Sequence, residues 1–164
     1  MVATRKSNTP TSNMEILRTV DDMRGWRARL SQDIRVGFAP TMGNLHAGHV
    51  SLIDTAKAHA ALAVASIFVN PMQFGPGEDL ESYPRTLEVD LAKLQAAGAD
   101  AVFIPRAEDI YPEGIDQHTS VDVPDLTDVL CGAHRPGHFR GVTTVVSKLL
   151  AVVRPHIAFF GAKD

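Results

Sequence analysis

The run Ala63-Val64-Ala65-Ser66-Ile67-Phe68-Val69 is apolar at almost every position and stops abruptly at Asn70-Pro71. A strand with one wet face alternates apolar and polar residues, so a run of this kind predicts a parallel strand covered by helices on both sides. Ile34 to Ala39 reads as a second such strand. It leads through Pro40-Thr41-Met42-Gly43-Asn44-Leu45-His46 into a segment where Val50, Ile53, Ala56 and Ala60 keep helical spacing, predicting a helix that ends near Ala60. Strands alternating with helices along the chain predict an α/β fold, a parallel sheet joined by right-handed crossovers.

The remaining elements follow that rhythm. Glu15 to Val20 reads as a first strand, and Thr19 with Asp22 forms a capping-box pattern opening a helix whose Met23, Trp26 and Leu30 belong to the core. Thr86 can cap a helix carrying Leu87, Leu91 and Leu94 on one face, with Gly98 as its stop. Ala101 to Ile104 is the next buried strand, Pro105 to Pro112 is turn-rich, Thr119 to Val123 reads as a short edge strand and Leu126 to Gly132 as a short helix. A long helix places Val142, Val145, Leu149 and Val152 together and stops before Arg154-Pro155. The last strand, Ile157 to Phe160, delivers Gly161-Ala162-Lys163-Asp164 at its carboxyl end. Residues 1–13 read as a polar, unstructured extension, leaving 14–164 as one domain.

A chain of 164 residues can bury a core without staples. Its net charge of -3 argues against binding nucleic acid through a broad basic surface, so an anionic ligand needs a local pocket. The lone Cys131 excludes an intrachain disulfide and a cysteine-based zinc cage, and fits a reducing cytoplasm. No apolar run approaches the roughly 18 residues of a membrane span.

Chemistry concentrates at the turn before the histidines. A helix start exposes unpaired N–H groups and the positive end of the helix dipole, which suits an anion, and Gly43 allows close approach to the backbone. His46 and His49 are three residues apart and project from one face, where both can donate hydrogen bonds to phosphate oxygens. A metal pair or two exposed helix histidines are the alternative readings. Asn70 and Gln73 follow a buried strand, where α/β sheets bind ligands, although ordinary loop hydrogen bonding would also account for them. Gly75 to Arg85 is long enough to be a lid or a passive connection. The cationic turn Arg135-Pro136-Gly137-His138-Phe139-Arg140-Gly141 suits either anion binding or positioning of the helix after it.

These residues also carry a resemblance. His46-Ala47-Gly48-His49 is similar to the His-x-Gly-His signature of the nucleotidyltransferase superfamily that includes class I aminoacyl-tRNA synthetases. The longer string from Pro40 to Leu52, then Phe68-Val69-Asn70-Pro71-x-Gln73-Phe74 with Tyr83-Pro84-Arg85, Arg135 to Val142, and Phe160-Gly161-x-Lys163-Asp164 resemble the pantothenate synthetase family. The resemblance covers about residues 14–164 and implies a Rossmann-like nucleotide-binding domain.

It further implies ATP-dependent condensation of D-pantoate with β-alanine through pantoyl adenylate, magnesium as cofactor, and a homodimer in the cytoplasm with no nucleic-acid or membrane partner. Under it, His46, His49 and Lys163 are catalytic. ATP lies against Pro40, Thr41, Met42, Gly43, His46, His49, Gly161, Lys163 and Asp164. Pantoate lies against Gln73, Met42 and Asn70. Ala162 and Cys131 stand where the family commonly has glutamate. The family also continues past Asp164 into a lid domain, so this chain is expected to be truncated, binding ligand weakly with little turnover. Another adenylyl-transferring enzyme of the superfamily, a non-catalytic dimerising fragment and a histidine-metal hydrolase are the rival readings, the last lacking a third ligand.

Overall fold

The computed structural model describes residues 13–75, 78, 80–125 and 131–162. Five strands, β1 (Glu15–Leu17), β2 (Val36–Thr41), β3 (Leu62–Ile67), β4 (Ala101–Phe103) and β5 (Ile157–Ala158), form one parallel sheet in the order β1-β4-β3-β2-β5. Among the described residues six helices accompany them: α1 (Val20–Ala28), α2 (Ala47–His59), α3 (Leu87–Ala96), α4 (Ala107–Ile110), α5 (Cys131–His134) and α6 (His138–Val153). A 3-10 turn, Pro71–Gln73, follows β3.

Each central strand serves two cores, because successive side chains point to opposite faces. Val36, Phe38, Val64, Ala101 and Phe103 pack with Met23 and Trp26 of α1 and Val145, Leu149 and Val152 of α6. Ala39, Ala63, Ala65 and Val102 pack with Ile53 and Ala56 of α2 and Leu94 of α3. The second face is built of small residues, which lets α2 lie close to the sheet. At Gly37 even a methyl group would stand 3.1 Å from the Ala56 Cβ and 3.0 Å from the Phe159 ring.

The capping box at Thr19 forms as expected, with the Asp22 amide donating to Thr19 Oγ1 at 3.0 Å. Because Thr19 caps α1, Val20 is the first helical residue and β1 ends at Leu17. Trp26 Nε1 and the Arg29 guanidinium both reach Glu15, tying α1 to β1. β3 leaves the ladder at Ile67, where its partner β2 ends, and the Phe68 amide makes one last bond to the Thr41 carbonyl.

Five other expectations shift. The Pro105 to Pro112 turn contains α4, and β5 is shorter than Ile157 to Phe160. Thr119 to Val123 is no strand: the Val121 main chain bonds the hydroxyls of Thr143 and Thr144 on α6 instead of a neighbouring strand. The expected helix from Leu126 to Gly132 lies largely outside the described residues, and the helix found is α5. The cationic stretch from Arg135 to Gly141 is not one loop, since α6 already begins at His138 behind Gly137, whose φ is 81°.

β2 has β3 on one side and β5 on the other. The chain passes from β2 through β3 to β4 and then returns to the far side of β2, so the topology switches between β2 and β5. Ligands of open α/β sheets bind beyond the carboxyl ends of strands at such a point.

Candidate active site

At the carboxyl end of β2, Thr41 Oγ1 donates to the Ser66 carbonyl and accepts from the Gly43 amide. Gly43 and Asn44 both take left-handed backbone, φ 82° and 51°, and a side chain on Gly43 would meet Asp90 and Ile67 at 3.2 Å. Asp90 holds this reversal in place. Its two oxygens accept the Asn44 and Leu45 amides, each at 2.8 Å, and the Thr86 hydroxyl at 3.0 Å. Lys93, one turn further along α3, donates to the Leu45 carbonyl.

The turn ends in an unusual cap. His46 is the N-cap of α2, one position before the first helical turn, and His49 lies within that turn. His46 Nδ1 accepts from the Gly48 amide at 3.1 Å, and His49 Nδ1 accepts from the His46 amide at 3.3 Å. A nitrogen that accepts an N–H bond presents its lone pair, which leaves Nε2 as the donor of each ring. The rings lie with centroids 4.1 Å apart. Gly48 is required by the first bond, because a Cβ there would stand 2.9 Å from the His46 ring. The arrangement is a helix start carrying two imidazole N–H donors, suited to phosphate oxygens.

A second cluster follows β3. Asn70 is buried, and its side chain is fully engaged: Oδ1 accepts from Tyr111 Oη at 2.8 Å and from the Met72 amide, while Nδ2 donates to Gln73 Oε1 and the Gly141 carbonyl. Burial pushes the Tyr111 hydroxyl up to about 12, so it remains a donor. Gln73 Nε2 reaches Met42 Sδ at 2.8 Å, which brings the two clusters together. Behind Gln73, His138 Nδ1 meets its carbonyl oxygen at 2.8 Å. Arg135 bonds His138 Nε2 and both oxygens of Glu78, whose carboxyl it holds down at about 2.

A cleft of about 430 Å³ opens beside Met42 and Gly43, lined also by Phe68, Arg85, Thr86 and Arg106. A cavity of similar size, about 420 Å³, is lined by Arg24, Arg27, Arg154 and His156 at the start of β5 and holds none of the motif residues.

The structure thus gathers Pro40, Thr41, Met42, Gly43, His46 and His49 at the end of β2, and Gln73 against Met42. Asn70 supports Gln73 rather than opening toward the cleft. Gly161 follows β5, while Lys163 and Asp164 lie outside the described residues. Sequence reading passed over Asp90, although an acid on the face shared by Leu87, Leu91 and Leu94 was a visible signal. Tyr111 carried no local signal.

Among the described residues no three His, Cys, Asp or Glu side chains assemble as a metal cage, and Asp90 has committed both oxygens to the turn. A divalent ion carried on a phosphate chain needs few protein ligands of its own.

Fold and site together define a Rossmann-like α/β domain with an anion-receptive turn at its switch point. The pantoate-beta-alanine ligase family model matches residues 15–164, and the chain belongs to that family. Pantothenate synthetase of Alteromonas mediterranea is 62% identical over 129 residues, covering 79% of this chain and 46% of that protein. The Idiomarina loihiensis enzyme of the same name is 53% identical over 151 residues, covering 92% and 53%. Among solved structures, Thermus thermophilus pantothenate synthetase superposes with a TM-score of 0.82 at 50% identity, covering 90% of this chain and 52% of that one. Francisella tularensis pantoate-beta-alanine ligase, solved with beta-gamma ATP and beta-alanine, gives 0.84 at 38% identity, covering 88% and 55%. The chain spans about half the length of the relatives it matches. Among the described residues no helix is long and apolar enough to cross a membrane.

Proposed function

We propose that this chain forms the ATP- and pantoate-binding part of a pantothenate synthetase. In that reaction a carboxylate oxygen of D-pantoate attacks the α-phosphorus of ATP, and the bond to the β-phosphate oxygen breaks to release pyrophosphate. The amine of β-alanine then attacks the acyl carbon of pantoyl adenylate, and the bond to AMP breaks as the amine loses its proton to solvent. No covalent enzyme nucleophile is needed, so the protein contributes positioning and charge stabilisation.

The observation that carries this reading is the imidazole pair at the start of α2, with both Nδ1 atoms occupied by backbone amides. His46 and His49 are the donors to the phosphates through Nε2, and the backbone from Pro40 to Gly43 is the floor between nucleotide and acid. Gln73 and Met42 orient pantoate, and Asn70 holds the Gln73 amide. Gly161, Lys163 and Asp164 are the remaining nucleotide contacts of this reading. Magnesium arrives with ATP as part of the substrate. The names of the relatives, and the nucleotide and beta-alanine in the Francisella complex, support the same assignment.

In this reading residues 14–164 are the nucleotide-binding domain, a C-terminal lid domain completes the site, and the enzyme is a cytoplasmic homodimer. Calorimetric titration of magnesium-ATP into this chain, with and without D-pantoate and beside a His49→Ala variant, tests it. Binding that strengthens with pantoate and weakens in the variant is expected; heat that ignores both sinks the assignment.

A further inference from the structure

We propose that Arg135 and His138 are positioning residues for pantoate, setting the Gln73 side chain through the main chain beneath it; this rests on the reading of Gln73 given above. Gln73 ends a 3-10 turn of three residues, too short to define its own geometry. Its carbonyl oxygen accepts from His138 Nδ1 at 2.8 Å and from Arg135 Nη2 at 3.4 Å.

Facing a carbonyl oxygen, His138 Nδ1 must carry a proton. Nε2 is then an acceptor, and it receives Arg135 Nη1 at 3.0 Å. The tautomer is therefore set from both sides. Arg135 is itself held by Glu78, with Nε on one oxygen and Nη2 on the other, both at 2.6 Å. The series Glu78, Arg135, His138, Gln73 is a chain of directed hydrogen bonds that ends at the residue whose amide reaches Met42. Arg135, His138 and Gln73 all stand behind the lining of the cleft, and of the three it is Gln73 that bonds a lining residue, Met42, so the effect of Arg135 and His138 on a ligand passes through Gln73. Because binding geometry is sensitive to displacements of about 1 Å, loosening the Gln73 carbonyl weakens the acid-binding side and leaves the phosphate-binding turn intact.

Two substitutions separate this role from packing. His138→Phe keeps a ring against Phe139, whose centroid is 5.0 Å away, but removes the donor. His138→Asn restores a donor near the Nδ1 position in a smaller side chain. The dissociation constants of D-pantoate and of magnesium-ATP are measured by calorimetry for this chain and both variants, with Gln73→Ala as control. The expected result is D-pantoate binding about tenfold weaker in His138→Phe, the loss of roughly one hydrogen bond, and recovered to within about threefold in His138→Asn. Magnesium-ATP affinity stays within about twofold throughout. Unchanged pantoate affinity in His138→Phe overturns the proposal, as does a parallel loss of both ligands or equal loss in both variants. Failure of the parent chain to bind pantoate, or full binding by Gln73→Ala, overturns the Gln73 reading and this inference with it.

Discussion

The carboxylate of Asp90 receives the main-chain amide of Leu45 at 2.8 Å, across 45 positions of sequence, and the neighbouring Asn44 amide at the same distance. One buried acid on α3 therefore shapes the turn that presents both histidines. Asp90→Asn keeps the size but leaves only one good acceptor, so one turn amide loses its partner. A loss of about 1–3 kcal/mol in urea unfolding is expected, together with weaker magnesium-ATP binding. Unfolding at the parent midpoint would show that the turn holds without it.

Gly48→Ala tests the histidine cap. The added methyl group meets the His46 ring at 2.9 Å, and an exposed ring can swing aside. Stability falls by about 1 kcal/mol, the worth of an N-cap. Nucleotide binding, read by calorimetry, falls further than that loss of stability implies, because the His46 Nε2 donor moves away from its place beside His49.

Gly141→Ala acts on the other cluster and has no such escape. Its Cβ would lie 2.6 Å from the Met72 carbonyl oxygen and 2.9 Å from the Gln73 nitrogen, both backbone atoms. Relief requires α6 to separate from the 3-10 turn. We expect a loss of about 1–3 kcal/mol in chemical denaturation, with the amide resonances of residues 70–73 shifted in NMR spectra. A variant as stable as the parent would mean that this backbone contact yields at little cost.

Acid should release Glu78 from Arg135. The Arg135 hydrogen bond holds the Glu78 carboxyl at about 2, below its ordinary 4.5. A group whose pKa is depressed by folding stabilises the fold above its unfolded value and loses that contribution as pH falls toward the folded one. The difference in thermal midpoint between the parent and Glu78→Gln is therefore constant above about pH 5, shrinks below about 4.5 and is gone near 2. Because the pair is partly exposed, added salt reduces the difference at every pH.

Local pattern was enough for much of the fold. The apolar run after Ala63 announced a strand covered on both faces, and it packs with its odd and even residues in two separate cores. Thr19 with Asp22 marked the start of α1, and the spacing of Val145, Leu149 and Val152 marked the buried face of α6. Thr119 to Val123 misled because β-branched residues fit a strand, yet their main chain is satisfied by hydroxyls of α6. The cationic stretch around Arg135 could be read only as charge. Its guanidinium is engaged by Glu78 and His138, partners that charge counting does not reveal.

The sequence by itself determined the alternation of strand and helix, the glycine turn after β2 and the placing of His46 and His49 at a helix start. All of these rest on interactions between residues a few positions apart. Tertiary structure alone decided that Asp90 grips that turn, that Asn70 is consumed inside the protein, and that His138 sets the carbonyl of Gln73 from 65 positions away. Periodicity records which face of an element is buried, whereas a hydrogen bond between elements depends on how two of them are brought together, and that is specified only when the sheet and its layers have packed.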